Sequence, residues 1–249
     1  MPPTARDMDI MANRLPSTQS LAGEAIELRY EDGSTLGLRL SASRVQWAMK
    51  GAEGPLAGDD PYDAVEMRPG VFFVDFSTGD GARAFSHVID RERGRALTIS
   101  SQLIDGHRDL REQLRPAVLA GHASPGEPIA ETRELLGRRL FCEYGPEAAL
   151  EHLYVNSVTL VWQWLRSPPA LVQEVGIEAA SMWKIRERLY LLATRGEEPI
   201  QLTLLLDLER LRNVGRLFGH GQLGRVDRRC GAKITLLGEF TYPEDYRPG

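Results

Sequence analysis

The chain has 249 residues, of which 42% are hydrophobic and 26% charged, and its formal net charge is −5 at pH 7. These fractions are typical of a soluble globular protein of one large domain or two ordinary ones. The negative charge argues against a general nucleic-acid binder, which needs a basic surface. No apolar run approaches a membrane span and the first 20 residues show no signal-peptide pattern. The sequence therefore predicts a cytoplasmic protein whose partners include neither nucleic acid nor membrane.

The first half of the chain has the pattern of short strands joined by tight turns. After residues 1–20, which we interpret as a mobile N-terminal arm, residues 25–30 and 35–40 alternate polar and apolar side chains at a period of two. Asp32-Gly33 and Pro69-Gly70 are typical turn pairs, because glycine adopts positive φ without a steric cost. About seven strands are predicted in this way, and residues 21–105 form the predicted first β-domain.

The alternating pattern breaks after residue 105. Leu110, Leu114 and Leu119 fall roughly on one stripe at helical spacing, which predicts a helix over 107–119. The next residues, up to Pro128, are rich in glycine, proline and serine. We therefore expect a helix and linker over residues 106–130, followed by a second domain at 131–249.

The second half echoes the first. Residues 21–28 resemble residues 135–142, and residues 85–90 resemble residues 203–207. Internal similarity of this kind indicates two related β-domains. Closing each sheet into a barrel removes its exposed edges, and a barrel of about eight strands can enclose one small ligand. The predicted fold is therefore all-β, with two tandem antiparallel barrels joined by a helical linker.

The most informative stretch is the strand-like run at residues 150–156. His152, Tyr154 and Asn156 share one face of this strand, because successive side chains alternate in direction. Trp162 and Trp164 share a face of the partner strand. A polar-aromatic stripe beside a tryptophan stripe predicts the wall of a pocket.

Several segments in a fixed order resemble the MoaF family, named for molybdenum cofactor biosynthesis protein F. The resemblance covers most of residues 21–237 and lies in Tyr30–Gly33, Trp47, Tyr62, Val71–Phe76, Leu135–Gly137, Glu151–Asn156 with the tryptophans after it, Leu206–Asp207, Gly215 and Phe218–Gly219. It implies two lipocalin-like (calycin) barrels in tandem and a link to cofactor metabolism.

The second domain is also similar, more distantly, to the phenolic acid decarboxylases, which are single lipocalin-like barrels that work without a cofactor. That resemblance implies two tyrosines on the opening strand and a catalytic glutamate on a later one. Tyr144 matches the second tyrosine, whereas Cys142 stands in place of the first. Glu197 or Glu198 would have to serve as the glutamate.

These patterns give the candidate site residues. An ordinary histidine titrates near neutrality, so His152 could shuttle a proton, with Tyr154 and Tyr144 orienting a substrate. The alternative is that all three are packed in the core. The candidate ligand-binding residues, each of which could instead serve packing, are Trp162, Trp164, Asn156, Trp47 and His87.

No cofactor or metal is expected. Cys142 and Cys230 do not have a metal-ligand spacing, and a disulfide between them is left open. Three hypotheses follow: a protein that binds a small aromatic or apolar molecule, a cofactor-free lyase or isomerase, and a scaffold with plugged barrels. The last predicts a cavity below roughly 300 Å³ in both domains. Whether the chain forms a homodimer is also left open.

Overall fold

The computed structural model describes residues 8–51, 55–122, 125–167, 174–221 and 224–243. The chain divides into two compact units. One is Pro16–Ala130, and the other combines the N-terminal residues up to Leu15 with the chain from Glu131 onwards. Both units are all-β, as predicted, and the helical structure within the described ranges is limited to the 3-10 turn Asp105–His107. No helix there is long and apolar enough to cross a membrane.

The N-terminal unit is a closed antiparallel barrel of eight strands in which each strand pairs with its neighbours in sequence and the last pairs with the first. The strands are β1 (Ala25–Tyr30), β2 (Thr35–Leu40), β3 (Arg44–Lys50), β4 (Leu56–Arg68), β5 (Val71–Ser77), β6 (Arg83–Asp90), β7 (Arg95–Ile104) and β8 (Asp109–Leu119).

The alternation seen in the sequence determines which side chains fill this barrel. In β1 every second residue is buried, and β2 and β3 continue the pattern. The turns use glycine where the backbone requires positive φ, at Gly33 (φ 80°) and Gly70 (φ 72°). The predicted hairpins at both positions are confirmed.

The C-terminal unit is a second closed barrel of eight strands with the same up-and-down order. Closure is made by β12 with β13 and by β10 with β17, and the short β9 extends the sheet beside β13. The strands are β9 (Ala130–Glu131), β10 (Arg138–Gly145), β11 (Ala148–Asn156), β12 (Thr159–Arg166), β13 (Val175–Arg186), β14 (Leu189–Arg195), β15 (Ile200–Asp207), β16 (Arg212–Gly221) and β17 (Gly224–Glu239).

The same turn occurs at equivalent places in the two barrels. Asp90 ends β6 and Asp207 ends β15, and both are fully buried. Each carboxylate accepts hydrogen bonds from backbone N–H groups two or three residues further on. The turns then pass through positive φ at Gly94 and at Leu211. This shared detail matches the internal similarity noted between residues 85–90 and 203–207.

The predicted helical linker is wrong. Residues 109–119 form β8, which pairs with β7 along its length and with β1 at residues 117–119, and so closes the barrel. The leucine spacing favours a helix locally, but the backbone N–H and C=O groups at the edges of β1 and β7 need hydrogen-bond partners, and a strand supplies them. Pro116 is itself a signal against a helix, where it would cost about 3 kcal/mol. It lies just outside the three residues of β8 that pair with β1.

The N-terminal residues also differ from the predicted mobile arm. Residues 8–15 lie against the C-terminal barrel, and Met8 and Ile10 are buried in its core. Residues 1–7 of the predicted arm, residues 123–124 of the predicted linker and the tail from 244 lie outside the described residues. The N-terminal segment therefore packs as part of the C-terminal barrel, whose strands come last in the chain.

Candidate functional site

The inward face of the C-terminal barrel carries the stripe predicted from the sequence. Across β11 and β12, His152 lies opposite Trp162 and Tyr154 opposite Leu160, so their side chains share one face. His152 is 1% exposed and Tyr154 is completely buried. Both therefore lie in the barrel interior and away from bulk water.

His152 and Tyr154 form a pair of neutral groups at neutral pH. The imidazole Nδ1 is 3.4 Å from the Tyr154 hydroxyl oxygen, and the two rings meet edge to face. Burial lowers the pKa of His152 to about 4, because the interior disfavours the imidazolium. Burial likewise raises the pKa of Tyr154 well above its ordinary value. The pair can donate and accept hydrogen bonds, but it does not titrate near neutrality.

Tyr144, from β10, is also buried on the inward face, close to two thiols. Burial raises the pKa of Tyr144 well above 10, and the neighbouring Cys142 and Cys230 act in the same direction. Burial raises the pKa of Cys142 to about 12. Both cysteines are free thiols. Tyr144 and Cys142 are therefore both uncharged at neutral pH.

The two tryptophans of β12 have different partners. Trp162 donates its indole N–H to Glu178 Oε1 (2.8 Å), and its ring lies over Gly176, where a Cβ would collide with it. Trp164 meets the Trp162 ring edge to face at 6.4 Å. Trp164 borders the cavity described below, whereas Trp162 is held in the barrel wall.

Glu178 is a functional candidate that sequence reasoning missed. It lies on β13, partly buried, on the same face as Ala180 and Met182, and its carboxylate also accepts a hydrogen bond from the Thr194 hydroxyl. The alternation of β13 predicts this inward direction once Met182 is assigned to the core. The decarboxylase resemblance directed attention to Glu197 and Glu198 instead, which lie in the turn between β14 and β15.

An apolar cavity of about 190 Å³ lies inside the C-terminal barrel. Aromatic and aliphatic side chains make up most of its wall, and one arginine borders it. The lining residues are Met8, Ile10, Tyr144, Leu150, Trp164, Ile200, Leu202, Leu217, Val226, Arg228 and Cys230. The candidates Tyr144 and Trp164 thus contact this space directly, while His152 and Tyr154 are buried in the same barrel and are not among its lining residues.

The N-terminal segment forms part of the cavity wall. The Arg228 guanidinium donates to the Met8 carbonyl oxygen at 2.5 Å, and Gly231 N–H donates to the Ile10 carbonyl at 3.1 Å. Asn13 adds a backbone hydrogen bond to the Tyr144 carbonyl. Gly145 and Gly231 permit the approach, because a Cβ at either would come within 2.7 Å of this segment's backbone.

In the N-terminal barrel, Trp47 is packed among aromatic rings. Its ring centroid lies 5.3 Å from that of Phe85 and 5.9 Å from that of Phe76. Its indole N–H donates to Asp60 Oδ2 at 2.8 Å, a bond that satisfies two buried polar groups. The structure therefore places Trp47 in the core of its barrel.

His87 is fully buried beside the same cluster. Its Nδ1 lies 3.0 Å from the Thr98 hydroxyl, which is also 2.8 Å from the Tyr30 hydroxyl. The imidazole stacks parallel to Phe85, and its Nε2 has no hydrogen-bond partner in the described part of the chain. Burial lowers the pKa of His87 to about 3.

Asn156 lies at the end of β11, where its side-chain oxygen accepts the Val158 N–H at 2.9 Å. This bond shapes the turn into β12. The structure thus brings Tyr144, His152, Tyr154, Trp162 and Trp164 into one interior. It places Asn156 in a turn, and Trp47 and His87 in the other barrel.

Comparison with known proteins gives family matches over both barrels. A model of the MoaF N-terminal domain matches residues 8–105, and a model of the MoaF C-terminal domain matches residues 129–240. Protein MoaF of Klebsiella aerogenes is 27% identical over 175 residues, which span 64% of this chain and 66% of that relative. A solved DUF3598-family protein of unknown function from Nostoc punctiforme covers 88% of this chain and 97% of its own at 10% identity, with a TM-score of 0.39.

Proposed function

The chain belongs to the MoaF family, and on that premise we propose that its C-terminal barrel binds one small aromatic or apolar molecule without transforming it. The observation that carries the proposal is the apolar cavity bordered by Tyr144, Leu150 and Trp164. We further propose that both barrels are of the lipocalin type, in which a ligand lies inside the closed sheet.

The size of the cavity supports a single-ring ligand. Dry apolar cavities of about 150 Å³ bind benzene, and this one measures about 190 Å³. Drug-sized and larger cofactor-sized molecules occupy pockets of roughly 300 Å³ or more. The family name suggests a place in cofactor metabolism, but this volume favours a simple aromatic compound as the ligand.

The chemistry of the interior favours binding over acid-base catalysis. A general acid or base works best when its pKa lies near the working pH. The pKa of His152 is about 4, and those of Tyr144 and Tyr154 are well above 10. At neutral pH these groups are a weak base and two weak acids. They orient a ligand by hydrogen bonding more readily than they exchange protons with it.

The plugged-scaffold hypothesis is not favoured. It predicts cavities below roughly 300 Å³ in both barrels, whereas the N-terminal barrel has one of about 470 Å³ at its end. The C-terminal cavity is smaller but bordered by both Tyr144 and Trp164.

The test is a direct measurement of binding and turnover with toluene and phenol as probes. We expect calorimetry to show one saturable site, and mass spectrometry of the incubated mixture to return the probe unchanged. Leu217→Trp fills the cavity with a large side chain and should abolish binding.

A matched control is Leu153→Trp, because Leu153 lies on the opposite face of β11 and outside the cavity. This variant should bind like the wild type. If Leu217→Trp binds the probes as tightly as the wild type does, the ligand does not lie in this cavity. Chemical conversion of a probe that is lost in His152→Gln would favour the lyase or isomerase hypothesis.

A further inference from the structure

The N-terminal barrel carries a polar, cationic patch on its inward face at one end. This end holds the β1–β2, β3–β4, β5–β6 and β7–β8 turns. The pairing of β6, β7 and β8 places side chains in rows across that face, and the rows are Arg83, Gln102 and Arg111; Phe85, Ser100 and Gln113; and His87, Thr98 and Arg115. Because His87 packs in the core, the whole set faces inward.

A cavity of about 470 Å³ opens at this end. Its polar wall includes Arg83, Arg115, Gln113 and the carboxylate of Asp32, and its apolar wall includes Met49, Leu56 and Phe85. A second space of about 30 Å³, the size of one water molecule, adjoins it beside Arg83 and Arg111. The cavity thus combines a cationic rim with an apolar floor.

Arg115 is held in place by its neighbours. Its Nη2 donates to both carboxylate oxygens of Asp32 at 2.8 Å and to the Ser34 hydroxyl, and its guanidinium lies 3.9 Å above the Tyr30 ring. The Tyr30 hydroxyl is bonded to Thr98, which lines the cavity. This arrangement positions the cation before any ligand arrives.

Arg83 and Arg111 have no ion-pair partner among the described residues. Asp80, in the β5–β6 turn, is close enough for Arg83 to help lower its pKa, but the two form no salt bridge. With Asp32 beside Arg115 and Asp80 near Arg83, the three arginines leave an excess of one positive charge among these five side chains, in a chain of net charge −5. Such a concentration of one sign in a concave site attracts anions.

We propose that this end of the N-terminal barrel binds an organic anion, a carboxylate or a phosphate monoester with a small apolar body. Arg83 and Arg111 contact the anionic group, since guanidinium groups donate paired hydrogen bonds to both chemistries. The apolar body lies against Met49, Leu56 and Phe85. The site is separate from the C-terminal cavity and holds a different class of ligand.

The test titrates the full chain with benzoate, phenylphosphate and the neutral benzamide by calorimetry. We expect saturable binding of at least one anion and none of benzamide, and the stronger anion identifies the chemistry. A hydrogen bond to a charged group is worth about 1.5–3 kcal/mol, so Arg83→Gln combined with Arg111→Gln should weaken binding at least about tenfold. Raising the salt concentration should also weaken it.

Arg39→Gln is the matched control, because Arg39 lies exposed on the outer face of β2 in the same barrel. It should leave affinity unchanged, and thermal melting of each variant checks that it folds. Binding must also persist in Leu217→Trp, which separates this site from the C-terminal cavity. The proposal is overturned if neither anion shows saturable binding below about 10 mM. Even a weak site with a binding free energy of a few kcal/mol fills in this range. Unchanged affinity in the double arginine variant would do the same.

Discussion

Lowering the pH from 7 to 5 should destabilise both barrels, because each encloses a neutral histidine. Burial holds the pKa of His87 at about 3 and that of His152 at about 4, whereas an unfolded histidine titrates near 6.5. The folded-state pKa is the lower one, so the unfolded chain binds more protons between these values. Stability is therefore complete above the unfolded pKa and is lost as the pH falls towards the folded one.

The size of the effect follows from the distance between pH 5 and the unfolded pKa. That gap is about 1.5 pH units, and each unit corresponds to 1.36 kcal/mol. Each histidine therefore lowers the free energy of unfolding of its barrel by about 2 kcal/mol at pH 5. Total stabilities are about 5–15 kcal/mol, which makes the loss measurable. Carboxylates with ordinary pKa values remain mostly ionised at pH 5 and contribute little.

Hydrogen–deuterium exchange across a urea series can follow the barrels separately, with peptides from β6 and β11. His87→Phe should remove the acid sensitivity of the N-terminal barrel alone, and His152→Phe that of the C-terminal barrel alone. His122→Gln is the control, because His122 is exposed. The reasoning is refuted if each wild-type barrel loses less than about 0.5 kcal/mol of unfolding free energy between pH 7 and pH 5, far under the value expected from linkage. It is also refuted if both phenylalanine variants keep the pH dependence of the wild type.

Three further substitutions test the packing. Gly215→Ala places a Cβ against the Thr203 carbonyl oxygen and should cost about 3 kcal/mol or more in urea unfolding; near-wild-type stability would contradict the close approach of β15 and β16. Gly145→Ala places a Cβ 2.7 Å from the Asp9 carbonyl oxygen, so exchange in residues 8–15 should rise at least about tenfold, whereas unchanged protection would mean that the segment docks elsewhere. Glu178→Leu leaves its two donors without an acceptor and should lower stability by about 1–3 kcal/mol, measured by thermal melting against Glu178→Gln, which keeps one acceptor oxygen.

The barrel architecture was predictable because local patterns and tertiary structure agree. Residues 25–30 alternate in the sequence as they do in burial, and Gly33 and Gly70 stand where the turns require positive φ. The inward direction of His152 and Tyr154 follows from the same period of two. The resemblance to the MoaF family is confirmed over both halves.

Other features depended on partners far away in the sequence. The leucines of residues 109–119 fit a helix locally, and only the unpaired edges of β1 and β7 decide for a strand. The low pKa of His152 follows from complete burial, which its neighbours in sequence do not reveal. Likewise, the cationic rim of the N-terminal barrel joins arginines from β6 and β8, and no single segment contains that pattern.

The docking of residues 8–15 has a consequence for protein synthesis. Arg228, which binds the Met8 carbonyl, follows it by 220 residues. At roughly 5–20 residues per second, a ribosome reaches that partner about 10–45 s after it has made the N-terminal segment. During this interval Met8 and Ile10 have no barrel to cover them, and they are exposed to chaperones and proteases. A gene fragment that starts at residue 131 would encode the C-terminal barrel without the N-terminal segment that forms part of its cavity wall.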